Sequence, residues 1–326
     1  MPEVRKIFTA DCSGPKEIDD GIFVERLDEN GELYKVGVCV ADTSRLYLNQ
    51  DIKADAFART TARYWDLPNG ERGYDPMIDS GQIAKTELLE GTRRSVLIIS
   101  FLVGDTRAPS DVDISFGNVE IHRNLTYKEL ANQAVYGRLK RVNRASECIR
   151  QHLKYVAYGD HEGTKPQWSE GGAAVSLSSR AWKVGSKMNE SFMVAANHLV
   201  GRELAADGRP AIYRVHDPSD EQFRELLSAS AARFSRQPGI HSSLNLDPYC
   251  RVTSPLRRLD DFVMNYQLRR RFLGEQPTQQ DEKEVAFAIR RLNQELVAAA
   301  PKEAGKFSIK DLLGSAATQK GLRVIA

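Results

Sequence analysis

The sequence has few cysteines, no long hydrophobic run and almost no net charge, and each absence narrows what the protein can be. Its four cysteines form no CxxC pair, which argues against a structural zinc site and against a disulfide framework. The longest apolar run, SVLIISFLV at residues 95–103, is shorter than the roughly 18 residues that a membrane span needs. The initial segment MPEVRKIFTADC has no apolar secretory region, so we expect a cytoplasmic protein.

The overall charge is equally uninformative about partners. The chain of 326 residues carries 46 basic and 44 acidic side chains, a net charge of +2, so no global excess of positive charge points to nucleic acid. The contents of 41% hydrophobic and 28% charged residues are ordinary for a globular protein. Any functional signal must therefore come from local clusters.

The order of predicted elements indicates an α+β fold in one domain that spans residues 1–326. Residues 1–122 are mostly β, residues 123–300 are mostly helical, and residues 301–326 form a tail with a weak amphipathic stretch at 309–313. Alternating or Val-rich runs predict strands at 7–10, 21–27, 33–42, 93–104, 111–122 and 211–216. Apolar spacing predicts helices over 51–62, 126–152, 186–207, 220–234, 255–273 and 282–300, with a turn at 64–73 and a loop at 158–174.

Four carboxylates lie within ten residues near the amino end: Asp11, Glu17, Asp19 and Asp20, with a turn at Gly14-Pro15 between them. Like charges so close raise each other's pKa unless a cation lies among them. Hard oxygen ligands select Mg²⁺ or Mn²⁺, and two such ions can hold the attacking and leaving oxygens of a phosphodiester. The alternative is a solvated acidic turn.

A second cluster lies about 240 residues later in the chain. Thr253-Ser254-Pro255 is typical of a helix start, which places Arg257 and Arg258 in the first turn. Cations are unfavourable there for the helix itself, whereas a helix N-terminus with guanidinium groups suits a phosphate. The alternative is that both arginines pair with Asp260, Asp261 or other carboxylates.

Together these clusters resemble the catalytic domain of the ribonuclease II / ribonuclease R (RNB) family. The family's acidic segment D-x5-D-x-D-D corresponds to Asp11-x5-Glu17-x-Asp19-Asp20. Five further family segments match in the same order: V-G-V-H-I-A-D-V-S at 36–44, L-T-Y at 125–127, E-E-F-M-x-x-A-N at 190–197, P-A-x-Y-R-V-H at 210–216 and T-S-P-I-R-R-Y-A-D at 253–261. The resemblance extends from about residue 7 to about residue 300.

The resemblance implies a mixed β-sheet packed with helices around a deep RNA channel. It also implies 3′→5′ hydrolysis of single-stranded RNA to nucleoside 5′-monophosphates, with Mg²⁺ (or Mn²⁺) held by Asp11, Glu17, Asp19 and Asp20. The chemistry would depend most on the carboxylate of Asp19, and Asp20 would be a second catalytic residue. Arg257 would hold the phosphate at the scissile end.

Further residues are assigned to RNA by the same resemblance, each with a simpler alternative. Tyr127 would pack against the 3′-terminal nucleotide or would be a core aromatic at a helix start. Glu190 would face the RNA channel or would be a solvated helix residue. Arg257 and Arg258 would contact RNA, and Arg269–Arg271 would follow its backbone or simply form a favourable positive end of a helix.

Some features depart from the family pattern. Glu17 replaces an aspartate, Cys39 replaces a histidine, and Asn265-Tyr266 replaces a His-Arg pair. The family's flanking cold-shock and OB barrels are not expected in this chain, which predicts weaker RNA binding and less processivity. Two alternatives stay open: a catalytically impaired RNB domain that binds RNA or a protein, and a protein partner that supplies the RNA-binding domains.

Overall fold

A computed structural model describes residues 5–12, 17–28, 32–66, 72–155, 180–216 and 232–299. The strands in these ranges are β1 (Arg5–Asp11), β2 (Asp20–Arg26), β3 (Leu33–Ala41), β4 (Arg63–Asp66), β5 (Arg72–Asp75), β6 (Arg93–Gly104), β7 (Ser110–Thr126), β8 (Tyr213–Val215) and β9 (Arg233–Ser235). The helices are α1 (Ser44–Tyr47), α2 (Gln50–Arg59), α3 (Ser80–Thr86), α4 (Tyr127–Val135), α5 (Lys140–Leu153), α6 (Arg180–Asp207), α7 (Leu259–Phe272) and α8 (Gln279–Ala299). None of these helices has both the length and the apolar content that crossing a bilayer requires.

Strands β1, β2, β3, β6 and β7 form a closed barrel in that order. All neighbours are antiparallel except β1 and β7, which run parallel, so the sheet is mixed. Val-rich β3 supplies much of the core, because Val36, Val38 and Val40 are completely buried. The expected α+β class with a mixed sheet packed against helices is confirmed. The deep RNA channel and the single-domain boundary stay predictions.

The helical part differs from the sequence expectation at one break. Residues 126–152 form two helices, α4 and α5, because the chain turns at Tyr136–Leu139. The N–H groups of Gly137 and Leu139 both reach back to the carbonyl of Gln133 and end the first helix. The start of α4 is as predicted, since Thr126 and Glu129 form a reciprocal capping box.

Other expectations were wrong in detail. Residues 64–73 include a hairpin of β4 and β5 rather than a turn alone, and helix α3 was not predicted. The end of the predicted helix 220–234 is strand β9, which pairs with β8. The predicted loop 158–174, most of the helix 220–234 and the stretch 309–313 lie outside the described residues.

Helix α6 packs against the start of α4 through Gly185. A Cβ at this position would lie 1.8 Å from the carbonyl oxygen of Tyr127, which is backbone and has no rotamer to change. Gly185→Ala, although favourable for an isolated helix by about 1 kcal/mol, should lower the free energy of unfolding by about 1–3 kcal/mol through overpacking. Chemical denaturation measures the difference. In the control Gly117→Ala the new Cβ meets only Ile98 at 3.4 Å, and an equal loss there would contradict the prediction.

Candidate active site

The acidic residues come together where β1 ends and β2 begins. Asp11 is the last residue of β1 and Asp20 is the first residue of β2, and the two strands are antiparallel neighbours. The backbone of the connecting segment is fixed at two points, because Asp19 accepts the N–H of Ala41 at 2.8 Å and Ile18 accepts the N–H of Leu88 at 2.9 Å. The barrel therefore brings the ends of the acidic segment together.

Asp19 joins this segment to the arginine motif. Its side chain is 3% exposed; Oδ1 accepts the backbone N–H of Leu256 at 2.7 Å, and Oδ2 lies 3.3 Å from Nε of Arg257. Arg257 also donates to Oγ of Ser254 at 3.0 Å, and its side chain remains 41% exposed. The two clusters identified in the sequence thus meet across one site, and Arg257 still presents part of its guanidinium outward.

Arg258 lies in a different environment. It forms an ion pair with Asp261 at 2.7 Å, and Asp260 pairs with Arg251 at 2.6 Å. The alternative in which Arg258 pairs with a nearby carboxylate is therefore what the structure has, while Arg257 pairs across the fold with Asp19. A role of Arg258 in RNA binding stays a prediction.

The predicted helix start at Thr253–Pro255 was wrong. Helix α7 begins at Leu259, and Arg258 is its N-cap residue. Backbone groups just before the helix form hydrogen bonds with residues that are distant in sequence. The N–H of Leu256 donates to Asp19, and the carbonyl of Arg257 accepts the N–H of Ala62 at 3.0 Å. Arg257 and Arg258 hence precede the helix rather than lie in its first turn.

Burial and mutual repulsion shift the pKa of the three aspartates upward. Burial, assisted by the charges of Asp20 and Asp19, raises the pKa of Asp11 to about 8. Burial raises the pKa of Asp19 to about 7 and that of Asp20 to about 6, and Arg257 opposes both shifts. The mutual repulsion of these carboxylates favours bound protons or a bound cation.

Glu17 is oriented differently from the three aspartates. It is buried, and its two carboxylate oxygens accept hydrogen bonds from the hydroxyls of Tyr64 and Tyr74. These tyrosines were not identified from the sequence. A usable signal was present in the sequence, because RYWD and RGYD flank Leu67-Pro68-Asn69-Gly70, a composition typical of turns, almost symmetrically.

The donor chemistry of this site suits a hard divalent cation. Oδ2 of Asp20 is buried without a hydrogen-bond partner, which is unfavourable unless something else binds it. All four acidic side chains offer oxygen, the ligand atom that Mg²⁺ and Mn²⁺ prefer. Among the described residues, however, no three His, Cys, Asp or Glu side chains converge as a ready metal-binding set. Asp11 and Asp20 are the residues that would hold the ion most directly, and Glu17 and Asp19 as ligands stay predictions.

The residues assigned to RNA border the same site. Tyr127 is the first residue of α4, its ring lies edge-on to Trp182 at 5.7 Å, and burial with the charges of Asp11 and Asp20 raises the pKa of its hydroxyl. Glu190 is half-buried on α6, directly after Asn189, which hydrogen-bonds Asp20. Their contacts with RNA stay predictions.

Three departures from the family pattern have structural roles. Cys39 is completely buried in β3. The side chain of Asn265 binds Thr43 N–H at 3.1 Å and the carbonyl of Ala41 at 3.2 Å, so it ties α7 to the end of β3. Tyr266 stacks on a neighbouring tyrosine ring at 4.4 Å. These positions pack the fold beside the site.

The arginines at the end of α7 are also engaged. Arg270 pairs with Glu275 and Asp281, and Arg271 pairs with Glu203 and Asp207. Arg269 lies over two phenylalanine rings. This arrangement favours a structural role at the helix end over a stripe that follows RNA.

Comparison with known proteins identifies the family. The family model described as the RNB domain matches residues 3–235, well over half of the chain. The chain belongs to the RNB family. The match includes the acidic site and the entire barrel, whereas Arg257 lies beyond its end.

Curated relatives of this RNB chain are ribonucleases of greater length. An uncharacterised ribonuclease of Synechocystis sp. is 25% identical over 304 residues, which cover 83% of this chain and 43% of the relative. Exoribonuclease 2 of Aeromonas hydrophila is 23% identical over 88% of this chain and 50% of its own length. The chain therefore spans about half the length of the curated relatives it matches.

Solved structures share the fold of this RNB chain. RNase R of Mycoplasma genitalium, in complex with ribose-methylated single-stranded RNA, superimposes with a TM-score of 0.73 at 15% identity, over 93% of this chain and 57% of that one. Yeast Ssd1, described as a pseudonuclease, gives a TM-score of 0.67 at 15% identity, over 90% of this chain and 42% of that one. Both likenesses are evidence for the fold alone.

Proposed function

We propose that this RNB chain is a metal-dependent 3′→5′ exoribonuclease that hydrolyses single-stranded RNA to nucleoside 5′-monophosphates. The observation that carries the proposal is the pairing of buried Asp19 with Arg257, which unites an acidic cluster and a partly exposed guanidinium in one site. Family membership and relatives named exoribonucleases support it. The cytoplasmic location and a partner that supplies RNA-binding domains stay predictions.

Each residue of the site would have a distinct role in hydrolysis. Asp11 and Asp20 would hold Mg²⁺, with Asp19 and Glu17 completing the anionic surroundings. When bound, the metal would supply activation of water and neutralisation of charge on the leaving 3′ oxygen. Arg257, oriented by Asp19 and Ser254, would bind the phosphate next to the 3′ end through its remaining N–H donors. Tyr127 would pack against the terminal nucleotide beside the carboxylates.

A labelled oligoribonucleotide tests the proposal directly. A 5′-labelled strand incubated with Mg²⁺ should give a ladder in one-nucleotide steps, and a 3′-labelled strand should release its label in the first step. Chromatography should identify the products as nucleoside 5′-monophosphates. The same preparation of Asp19→Asn guards against a contaminating nuclease. An intact strand with purified protein would overturn the proposal.

A second candidate function is an RNB domain that binds RNA or a protein without hydrolysis. Two observations favour it: both oxygens of Glu17 are taken by tyrosines, and the fold is shared with a protein described as a pseudonuclease. In the same assay, this function predicts an intact strand with a shifted band on a native gel.

The raised pKa values predict how stability depends on pH when divalent ions are removed. Because the folded-state pKa of Asp11 is about 8 and that of Asp19 about 7, the folded protein binds more protons than the unfolded chain in this range. With EDTA, the thermal midpoint should fall as pH rises from about 6.5 to 8 and level off above. Saturating Mg²⁺ should raise the midpoint more at pH 8 than at pH 6.5, because the ionised form binds the metal.

The control for this pH dependence is an exposed carboxylate. Asp11→Asn should flatten the slope, whereas Asp55→Asn, on the exposed side of α2, should leave it unchanged. A midpoint that rises with pH in EDTA would contradict the prediction. Differential scanning calorimetry at fixed ionic strength provides the measurement.

A further inference from the structure

We propose that Tyr64 and Tyr74 are positioning residues that hold Glu17 and thereby fix the acidic segment relative to Arg257. This inference rests on the proposed function, because it assigns the tyrosines a role in the same site. It also predicts that glutamate at position 17 is matched to these tyrosines, rather than being a weaker substitute for the aspartate of the family pattern.

The hairpin of β4 and β5 presents the two tyrosines as a pair. Tyr64 and Tyr74 lie directly opposite each other in the antiparallel register, and their rings stack with centroids 5.4 Å apart. Tyr64 Oη donates to Oε2 of Glu17 at 2.5 Å, and Tyr74 Oη donates to Oε1. Each oxygen of the buried carboxylate thus has its own phenol donor, so the orientation of Glu17 is fixed at both ends.

The same hairpin is attached to Arg257 at its base. The chain that enters β4 donates twice to the carbonyl of Arg257, from the N–H of Ala62 and from Oγ1 of Thr61, both at 3.0 Å. The same pair of strands and the segment that enters it therefore contact the acidic segment through Glu17 and the arginine motif through its backbone. A shift of the hairpin would change the separation between the carboxylates and the guanidinium.

The length of the side chain at position 17 follows from this geometry. Aspartate is shorter by one C–C bond, so from the same backbone position its oxygens would withdraw from both phenols. Two partly buried hydroxyl donors would then lose this acceptor, which is unfavourable. Glu17→Asp, although it creates the residue of the family pattern, should therefore impair this chain.

Two readouts test the inference on the full chain: kcat and KM for a 5′-labelled oligoribonucleotide, and the dissociation constant for Mn²⁺ measured by electron paramagnetic resonance. Tyr74→Phe and Tyr64→Phe should each lower kcat and weaken Mn²⁺ binding by roughly tenfold, with KM changed less than about twofold. Glu17→Asp should do the same. The matched control is Tyr136→Phe, which removes the same oxygen from a tyrosine that is 85% exposed.

A combination of variants separates positioning from general destabilisation. In the double Tyr64→Phe, Tyr74→Phe background, Glu17→Asp should add little, because its partners are already gone. Any of three results would overturn the inference. The first is that the effect of Glu17→Asp multiplies with that of the double tyrosine variant, and the second is that Glu17→Asp increases kcat. The third is that both single tyrosine variants leave kcat and Mn²⁺ affinity unchanged. Unfolding midpoints identify any variant that fails to fold. If one single tyrosine variant fails to fold, the kcat and Mn²⁺ affinity of the other single tyrosine variant test the inference.

The outcome for the proposed function is read separately. If the wild-type chain binds Mn²⁺ but does not hydrolyse RNA, the exoribonuclease proposal is overturned and the Mn²⁺ constants alone decide the role of the tyrosines. If the wild-type chain hydrolyses RNA while the variants match it in both readouts, only the tyrosine inference is overturned. Absence of both hydrolysis and Mn²⁺ binding in the wild type overturns both.

Discussion

Asp19→Asn is expected to lower kcat for RNA hydrolysis by about 10³-fold, with a much smaller change in KM. Asparagine has nearly the same shape, and its amide oxygen can still accept the N–H of Leu256, so the local fold should persist. What disappears is the negative charge that lies 3.3 Å from Arg257 and contributes to the anionic surroundings of Asp11 and Asp20. The variant should therefore slow the chemical step rather than weaken RNA binding.

Single-turnover kinetics with saturating RNA provide the measurement, and the unfolding midpoint shows whether the variant remains folded. Asp55→Asn is the matched control, because it removes the same charge from an exposed position on α2. If Asp19→Asn retained kcat within about threefold of the wild-type value, Asp19 would not be a catalytic residue. Recovery of activity at higher Mg²⁺ would instead assign Asp19 mainly to metal affinity.

The acidic half of this site was predictable because it is local. Asp11, Asp19 and Asp20 are close in sequence, and two strands separated by a short connection place their ends together in any antiparallel pair. The contact between Asp19 and Arg257 could not be predicted from local sequence. It joins residues more than 230 positions apart, and only the order of family segments linked the two before the fold was known.

The role of Glu17 was not predictable from the acidic cluster alone. Proximity in sequence groups it with the three aspartates, whereas its partners are Tyr64 and Tyr74 from a separate hairpin. The symmetrical placement of tyrosines around a turn signal predicts a cross-strand pair. Nothing in the sequence states which carboxylate that pair will contact.

The wrong helix start before α7 has a tertiary cause. The helix start predicted at Thr253–Pro255 follows a sound local rule, but the N–H of Leu256 and the carbonyl of Arg257 are used by distant partners. Local propensity was overridden by tertiary hydrogen bonds at the site itself. By contrast, α4 begins where the sequence predicts, because the partners of its capping box, Thr126 and Glu129, lie within one turn.

Arg257→Lys is expected to lower kcat/KM for RNA by about 10²-fold, although the positive charge is kept. Nε of Arg257 lies against Asp19, and an Nη2 hydrogen bond reaches Ser254, so one edge of the guanidinium is fixed while the side chain remains 41% exposed. The remaining donors are held in a planar fork that suits two oxygens of a phosphate. Lysine cannot pair with Asp19 and present such a fork at the same time. Its flexible ammonium group would reach either the carboxylate or the phosphate.

Steady-state kinetics on the same oligoribonucleotide measure this effect, and Arg257→Ala should be weaker still. Arg45→Lys, at an exposed position on α1, is the control, because Arg45 belongs to none of the described ion pairs. If Arg257→Lys retained kcat/KM within about twofold, charge alone would be sufficient and the fork geometry would be irrelevant. A loss confined to KM would mean that Arg257 binds RNA equally in the ground state and the transition state, whereas a shared loss in kcat places its contact with the phosphate in the transition state.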